Sequence, residues 1–559
     1  MKLEGTIPWP AETAARYRAA GYWTGERLDR VGVHHANNTP EATAVVDDAE
    51  RLTYAAFERR VAQMAGGFIS LGIQPRDRVL LQLPNRVSFL VAALALMRAG
   101  AIPVYLLPAH RHSEVAAIAA QAEPVAYIGP SVHENFDYRP MAADLARSTA
   151  ATLHRAALRV IIDGETLEGQ LGLGEVLDSG LGRECWDGIP ADTGDVAFLQ
   201  LSGGTTGTPK LIPRTHDDYL YSVRQSVKVC GLDSGAVMLL VLPAAHNFPM
   251  SSPGFLGVLL AGGTIVLGSS AAPDLAFPVI ERESVTIVPL VPPLALAWMR
   301  AAAGTTSNLQ SLRTIQVGGA KFLPESARRI KGDLGANLQQ VFGMAEGLVC
   351  YTREGDPDEL VATSQGRPMS EADEVRVVDD EDQPVEDGTA GHLLTRGPYT
   401  IRGYYKAEQH NSTAFTADGF YRTGDIVRRL PGGYLSVEGR SKDQINRGGE
   451  KISAEEVEDH LLAHPLVHDA AVVAIPDPYL GERSCAVIVP AGDTTPARKE
   501  ILQFIRDRGV AAHKIPDRVE IVPAFPTTGV GKNSRAHLRR TLAEQLRPAT
   551  GLQAQPSHQ

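Results

Sequence analysis

Short apolar segments alternate with amphipathic helical segments through most of this 559-residue chain. Thr43–Asp48 and Arg78–Leu83 have the length and composition of buried strands, and the segment between them has helical periodicity. Thr53 is placed to cap that helix, which we expect to end at Gly72. The alternation recurs as far as Thr286–Val291. Strands that alternate with helices favour mostly parallel sheets covered by helices, so the sequence predicts an α/β protein.

The pattern changes near Arg440, where a strongly polar segment begins, and we place the domain boundary near Lys442. Beyond it, helix-like Ala454–His464 precedes two strand-like segments and a further helix-like one, enough for one compact domain. We therefore expect a large N-terminal domain over residues 1–441 and a small α+β C-terminal domain over residues 442–547. Residues 548–559 are polar and predict a disordered tail.

Composition and charge exclude several classes of protein. The net charge of −11 argues against general binding to nucleic acid or to anionic membranes. The longest apolar runs, such as Phe89–Met97, are too short to span a bilayer, and the N-terminus lacks the apolar segment of a secretory signal. The four cysteines lie far apart without paired motifs, which predicts a reducing compartment and no zinc cluster. We expect a cytoplasmic protein.

The segment Leu201–Leu211, LSGGTTGTPKL, directly follows the apolar run Val196–Leu201, which we expect to be a strand. Its glycines let backbone N–H groups approach a ligand, and its hydroxyls and lysine add donors and positive charge. This pattern indicates a phosphate-binding loop; a flexible linker of the same composition is the alternative. Leu211 follows Lys210 where a P-loop needs serine or threonine, and no G-x-G-x-x-G motif is present here.

Three later segments each place one charged residue among glycines: Glu346 in QVFGMAEG, Asp425 in YRTGD and Lys532 in TTGVGKNSR. Taken singly, each has an ordinary alternative, namely a helix cap, a turn residue and a solvated loop lysine. The sequence places Asp425 at a turn. The occurrence of all three segments in one chain favours a shared functional role.

Together with LSGGTTGTPK and GRSKDQINRGGEK, these segments resemble the motifs of the adenylate-forming superfamily, which includes acyl-CoA synthetases, peptide-synthetase adenylation domains and luciferases. The match runs over nearly the whole chain, in the order and spacing of the family. The segments WPAETAARYRAAGYW and AHNFPMSSPGFLGVLLAGG are further similar to stand-alone aryl-acid AMP ligases, above all those for 2,3-dihydroxybenzoate and salicylate. The resemblance implies the adenylate-forming fold, with a mobile small domain, and the use of ATP and Mg²⁺.

The resemblance implies two half-reactions. An aryl carboxylate attacks the α-phosphorus of ATP and expels pyrophosphate; a thiol then attacks the carbonyl of the aryl-adenylate and releases AMP. Catalytic Lys532 would neutralise charge as the anhydride forms, and Glu346 would hold Mg²⁺. Asp425 would bind the ribose hydroxyls, assisted by Arg440. The other ATP- and AMP-binding positions that the resemblance implies are Ser202, Gly203, Gly204, Thr205, Thr206, Lys210, Gly318, Gly319, Ala320, Val341, Phe342, Gly343, Met344 and Ala345.

The resemblance also implies an aryl-acid pocket of six residues: His246, Asn247, Phe248, Ser252, Gly318 and Val349. Asn247 would hydrogen-bond the ortho hydroxyl of the acid. His246, the second candidate catalytic residue, would lie near the carboxylate; a hydrogen-bonded, partly buried histidine is the alternative. Ser252 would face ring position 3, where a serine hydroxyl favours 2,3-dihydroxybenzoate over salicylate without excluding the latter.

The polar segment after residue 441 would be the hinge of the small domain, with Lys442 at the hinge position and Gly448 and Gly449 along the route of the thiol. No carrier-domain motif follows in the sequence, so we expect an external acceptor. The acceptor would be the phosphopantetheine arm of an aryl carrier protein in siderophore-type biosynthesis, or alternatively coenzyme A in aromatic degradation. An inactive ligand-binding homologue is a third alternative, which the presence of Lys210, Glu346, Asp425 and Lys532 disfavours.

Overall fold

The computed structural model describes residues 3–153, 158–202, 210–441, 445–447, 450–477, 480–492, 494–508, 512–525 and 538. The chain divides into two units. The larger is built mainly from Met1–Thr423 and Val427–Val437, and the smaller mainly from Gly424–Ile426 and Glu438–Thr528. The predicted tail, 548–559, lies outside the described residues, and the boundary at residue 442 stays a prediction.

The larger unit contains a sheet of nine described strands. Its central strands are parallel, and the chain runs antiparallel only towards the two edges. This arrangement confirms the α/β prediction. In sheet order the strands are Arg367–Pro368, Val349–Tyr351, Asn337–Gly343, Thr314–Gly318, Ile287–Leu290, Val237–Leu240, Thr264–Leu267, Thr43–Val46 and Arg51–Thr53.

A second sheet of seven described strands is parallel except at one edge. At that edge the strands Val196–Leu201 and Leu211–Thr215 form an antiparallel hairpin in which Leu201 pairs with Leu211. The hairpin therefore positions the ends of the predicted phosphate loop. In sheet order the strands are Leu211–Thr215, Val196–Leu201, Ile102–Tyr105, Arg78–Leu81, Ala126–Pro130, Arg159–Asp163 and Leu171–Gly172.

Helices cover these sheets. Val87–Arg98 is buried along its whole length except at Ser88, as expected for a helix that is apolar on all sides. The helix Tyr54–Ser70 begins as predicted at Thr53, whose hydroxyl accepts the N–H of Ala56. No described helix is long and apolar enough to cross a membrane. The other α-helices described in this unit are Ala11–Ala19, Val33–Asn38, His112–Ala122, Tyr138–Leu153, Leu173–Ser179, His216–Cys230, Asn247–Ser251, Gly254–Ala261, Pro273–Glu283, Pro292–Ala302, Pro324–Leu334, Asp358–Thr363 and Glu408–Ala414.

The chain also forms two smaller sheets. Val132–His133 pairs with Phe136–Asp137 in a two-stranded hairpin. A four-stranded sheet precedes the polar segment. In sheet order its strands are Glu374–Val378, Ala390–Arg396, Tyr421–Arg429 and Leu435–Arg440.

The smaller unit packs two helices, Ala454–Leu462 and Arg498–Asp507, on a sheet of five described strands. Apolar side chains from both helices and from the central strands form its own core. The α+β composition agrees with the prediction for the C-terminal part of the chain. The strands are Ile445–Arg447, Glu450–Ile452, Val467–Asp477, Gly481–Pro490 and Arg518–Ile521.

A buried ionic cluster joins the N-terminal segment of the larger unit to two of its helices. Arg98 is fully buried, and its Nη1 lies 2.9 Å from Oε2 of Glu58. Its Nε lies 3.4 Å from Oδ2 of Asp29, whose other carboxylate oxygen lies 2.8 Å from Nε of Arg27. Because a buried charge without its partner is costly, each member of the cluster depends on the others.

Arg98→Met should lower the free energy of unfolding of the larger unit by about 3–5 kcal/mol, because it leaves Glu58 and Asp29 buried without their shared partner. Urea unfolding followed by intrinsic fluorescence measures this loss. The control is Arg313→Met, the same change at an exposed position, which should cost less than about 0.5 kcal/mol. Equal losses in the two variants would contradict the role given to Arg98.

Candidate active site

The predicted phosphate loop closes the antiparallel hairpin of the seven-stranded sheet. At its base the N–H of Ser202 donates to the carbonyl oxygen of Lys210 at 2.9 Å, and the N–H of Lys210 donates to Oγ of Ser202 at 3.0 Å. The strand before the loop agrees with the prediction, whereas the returning strand after it was not predicted. The loop residues outside the described part of the chain include Gly203, Gly204, Thr205 and Thr206.

A buried guanidinium joins this hairpin to the segment that carries Glu346. Arg214 is 1% exposed, and its Nε donates to Oδ1 of Asp218 at 2.9 Å. Its Nη1 donates to the carbonyl oxygen of Ala345 at 2.6 Å, and its Nη2 to that of Tyr399 at 3.0 Å. Hydrogen bonds from a charged donor are stronger than neutral ones, so Arg214 holds the turn before Glu346 against the hairpin.

Glu346 is buried, and a tyrosine orients its carboxylate. The hydroxyl of Tyr404 donates to Oε1 of Glu346 at 2.8 Å and lies 2.9 Å from the hydroxyl of Tyr421. Burial raises the pKa of Tyr404 well above its ordinary value, so the hydroxyl keeps its proton. Nζ of Lys210 lies 5.7 Å from the centroid of the Tyr404 ring. Two predicted site residues, Lys210 and Glu346, therefore both lie beside the side chain of Tyr404.

The floor of the site lies at the carboxyl ends of two parallel strands, where ligands of α/β proteins bind. Gly318 pairs with Val341, and a Cβ at Gly318 would lie 2.8 Å from the Val341 carbonyl oxygen and 3.1 Å from the ring of Phe248. Only glycine fits this contact. At or just beyond the ends of the two strands lie Gly319, Ala320, Phe342, Gly343, Met344 and Ala345.

The predicted aryl pocket has apolar walls. Phe248, Val341 and Val349 belong to one hydrophobic cluster. His246 precedes the short helix Asn247–Ser251, and its Nδ1 accepts the N–H of Phe248 at 3.4 Å. The structure therefore gives the His246 side chain a capping role at this helix.

Two buried tyrosines orient the polar groups of this pocket. The hydroxyl of Tyr219 donates to Oδ1 of Asn247 at 2.8 Å. The side chain of Ser252, which is 3% exposed, hydrogen-bonds the hydroxyl of Tyr351, and that hydroxyl also lies 2.8 Å from Oγ of Ser226. No local sequence signal identifies these tyrosines, because their partners are distant in the chain.

Asp425 does not lie at a turn, and that prediction is wrong. It lies inside the strand Tyr421–Arg429 and is 3% exposed. The signal for a turn came from Gly424, which has a φ of +76° and distorts the strand directly before Asp425. Nε of Arg440 lies 2.6 Å from Oδ1 of Asp425, so the two residues that are predicted to bind the ribose lie side by side. Four other predicted positions lie outside the described residues, namely Lys442, Gly448, Gly449 and Lys532.

Comparisons with known proteins identify the family. The chain matches the model of the AMP-binding enzyme over residues 33–405 and that of the AMP-binding enzyme C-terminal domain over residues 456–532. The chain belongs to the AMP-binding enzyme family. It is 54% identical over 544 residues to a 2,3-dihydroxybenzoate-AMP ligase of Bacillus subtilis, covering 97% of this chain and 99% of the relative.

Two further comparisons agree with this assignment. A salicyl-AMP ligase / salicyl-S-ArCP synthetase of Mycobacterium tuberculosis is 46% identical over 554 residues, covering 98% of this chain and 96% of the relative. The apo structure of Mycobacterium smegmatis MbtA superimposes with a TM-score of 0.74 at 45% identity, covering 96% of this chain and 98% of that one. These matches confirm the adenylate-forming fold.

A buried carboxyl group supports the pocket wall. The hydroxyl of Tyr399 accepts the N–H of Val349 at 3.2 Å and donates to Oδ2 of Asp373 at 2.8 Å. Although Asp373 as a whole is half-buried, its Oδ1 is buried and has no hydrogen-bond partner in the part of the chain that the structure describes. Burial raises the pKa of Asp373 to about 7, against the lowering effect of the Tyr399 hydroxyl.

Asp373→Asn should stabilise the protein relative to the wild type by an amount that grows as the pH rises. In the wild type the carboxyl pKa is about 7 in the folded state against an ordinary 3.8, so ionisation costs stability between these pH values. Asparagine does not ionise, and the gain should reach about 1–3 kcal/mol above pH 7. Urea unfolding from about pH 4 to about pH 8 measures it.

The control for Asp373→Asn is Glu371→Gln, which neutralises an exposed carboxylate two positions away. Its effect on the free energy of unfolding should change little over the same range of pH. A stabilisation by Asp373→Asn that is the same at every pH would contradict the raised pKa.

Proposed function

We propose that this chain is an aryl-acid–AMP ligase. It uses ATP to convert a 2-hydroxyaryl carboxylic acid to the aryl-adenylate and then passes the aryl group to the phosphopantetheine thiol of an aryl carrier protein, in siderophore-type biosynthesis. The observation that carries the proposal is the pocket in which the apolar walls Phe248 and Val349 accompany two oriented polar groups, Asn247 and Ser252. A flat ring with polar substituents on one edge matches that combination.

The proposed first step needs charge neutralisation rather than a covalent nucleophile. Negative charge develops on the α-phosphorus oxygens and on the departing pyrophosphate. Ser202 and Lys210 lie at the base of the hairpin loop, where their hydroxyl and ammonium groups would meet the β- and γ-phosphates. Lys532 would bridge the substrate carboxylate and a phosphate oxygen, and Asp425 with Arg440 would hold the ribose.

The residues present fit a bound Mg²⁺. Glu346 is a buried carboxylate, and Tyr404 occupies one of its oxygens as a hydrogen-bond donor. No three His, Cys, Asp or Glu side chains converge as a metal site among the residues that the structure describes. A single carboxylate suits Mg²⁺, which takes most of its ligands from phosphate oxygens and water. When bound there, the ion would neutralise charge on the phosphates.

The polar groups of the pocket favour 2,3-dihydroxybenzoate and also allow salicylate. Ser252 already has the hydroxyl of Tyr351 as a hydrogen-bond partner, and the Tyr351 hydroxyl is also hydrogen-bonded to Ser226. This chain of hydroxyls can accept and donate, so it can pair with a 3-hydroxyl of the acid. Without a 3-hydroxyl, Ser252 still has a partner. Salicylate should therefore lose only about 1 kcal/mol of binding.

A carrier protein is the proposed acceptor. The relative from Mycobacterium tuberculosis is named for the formation of salicyl-S-ArCP as well as of salicyl-AMP. We propose the same kind of acceptor for this chain. We also propose that the small domain turns about a hinge at Lys442 and that the thiol reaches the site past Gly448 and Gly449. Coenzyme A is the alternative acceptor, and a cytoplasmic location is the expected one for either reaction.

ATP–pyrophosphate exchange tests the proposed activity directly. With 2,3-dihydroxybenzoate the kcat/KM for exchange should exceed that with salicylate by about fivefold, as about 1 kcal/mol implies, and salicylate should exceed benzoate and 3-hydroxypicolinate. The absence of exchange with every acid would contradict the proposed activity. A strong preference for salicylate would instead contradict the role of Ser252 alone. Comparing aryl carrier protein with coenzyme A in the thiol step then identifies the acceptor.

Lys532→Ala should reduce adenylation by at least about a hundredfold, because the developing charge loses its positioned cation. Thioester formation from chemically supplied aryl-adenylate should continue at close to the wild-type rate. Lys499→Ala removes an exposed lysine of the same unit and should leave both half-reactions unchanged. Comparable damage to both half-reactions by Lys532→Ala would argue against the proposed role.

A further inference from the structure

The hydroxyl of Tyr219 lies between two polar side chains of the predicted aryl pocket. It is 2.8 Å from Oδ1 of Asn247 and 3.4 Å from Nε2 of Gln200. Tyr219 and Gln200 are both buried, whereas Asn247 is half-buried. The burial of Tyr219 keeps its hydroxyl away from bulk water.

The identity of these partners decides the direction of each hydrogen bond. Gln200 donates its amide N–H to the Tyr219 oxygen, whereas the hydroxyl of Ser251 donates to the carbonyl oxygen of Asn247. The single proton of Tyr219 is then left for Asn247, which must present an acceptor, its Oδ1. Burial raises the pKa of Tyr219 to about 12, so this proton is retained at neutral pH.

A fixed Oδ1 leaves the other half of the amide for a ligand. Nδ2 of Asn247 has no hydrogen-bond partner within the described ranges, and it carries two N–H groups. Rotating the amide by half a turn would place Nδ2 against the Tyr219 hydroxyl, whose proton would then have no acceptor there. Such a rotation costs about one buried hydrogen bond.

We propose that Tyr219 is a positioning residue that holds the Asn247 amide with its N–H groups towards the substrate, and so selects aryl acids that carry a hydrogen-bond acceptor at the 2-position. This inference rests on the proposed function, in which Asn247 faces that position of the ring. It adds a residue of the helix His216–Cys230 to the determinants of specificity.

The substituent at the 2-position of the ring decides whether an aryl acid fits the Asn247 amide when its N–H groups face the substrate. In a 2-hydroxybenzoate the phenolic proton is shared with the neighbouring carboxylate, so the oxygen directs lone pairs outwards to accept an N–H. In 2-aminobenzoate one N–H is shared with the carboxylate and the other points outwards, where it meets the N–H groups of Asn247. When two N–H donors face each other in a desolvated pocket, neither has a hydrogen-bond acceptor, so 2-aminobenzoate is rejected.

The test is ATP–pyrophosphate exchange with 2-hydroxybenzoate and 2-aminobenzoate, each expressed relative to benzoate in the same variant. The wild type should favour the hydroxy acid. Tyr219→Phe releases the amide, so the ratio of kcat/KM between the two acids should fall by about fivefold, as a hydrogen bond of about 1 kcal/mol implies. Tyr221→Phe is the matched control. It removes a hydroxyl from the same helix, one bonded to Ser370 at 2.5 Å, and should leave the ratio within about twofold.

A second variant tests the polarity without changing Tyr219. Asn247→Asp presents only acceptor oxygens, so it should shift the ratio towards 2-aminobenzoate by about tenfold or more. The inference is overturned if Tyr219→Phe lowers exchange with all three acids by one common factor, or if Asn247→Asp leaves the ratio unchanged. A wild-type protein that exchanges with no aryl acid would instead overturn the proposed function, so the two failures are distinguishable.

Discussion

The candidate site depends on the buried guanidinium of Arg214. Its hydrogen bonds reach Asp218 on the following helix, the carbonyl oxygen of Ala345 beside Glu346, and the carbonyl oxygen of Tyr399 behind the pocket wall. Each bond fixes a different segment of the chain relative to the hairpin. The guanidinium also lies 4.7 Å from the ring centroid of Tyr219. One side chain thus connects the hairpin that carries the proposed phosphate loop, the segment of the candidate Mg²⁺ ligand and the proposed aryl pocket.

Buried tyrosines orient the polar groups that Arg214 brings together. Tyr404 directs its proton to Glu346, Tyr219 to Asn247, and Tyr351 shares hydrogen bonds with Ser252. A rigid aromatic ring holds each hydroxyl in place at little cost in conformational entropy, and burial keeps the proton on the oxygen. The polar groups of the site are therefore oriented before any ligand arrives, which is the condition for effective electrostatic stabilisation.

Much of this arrangement could be predicted from sequence, because its signals are local. Apolar segments separated by helical periodicity predicted the parallel sheets, and a glycine-rich segment after a strand predicted where a loop would lie. Glu346, Asp425 and Arg440 could be singled out because they stand in short motifs. Arg214 and Tyr219 could not, since their partners are set by tertiary packing; the Arg214–Ala345 bond spans 131 residues.

The hairpin explains why the loop Leu201–Leu211 departs from the P-loop pattern. In a P-loop, a helix begins directly after the glycines, and its N-terminus supplies positive potential to the phosphates. Here the chain returns as the antiparallel strand Leu211–Thr215, and the helix that follows this strand begins at His216. Among the described residues of this connection, no helix directs its N-terminus at the proposed phosphate site. Fixed charge must take its place, which gives Lys210 a physical reason to stand at the base of the loop and accounts for the proposal that Lys532 brings a second cation during adenylation.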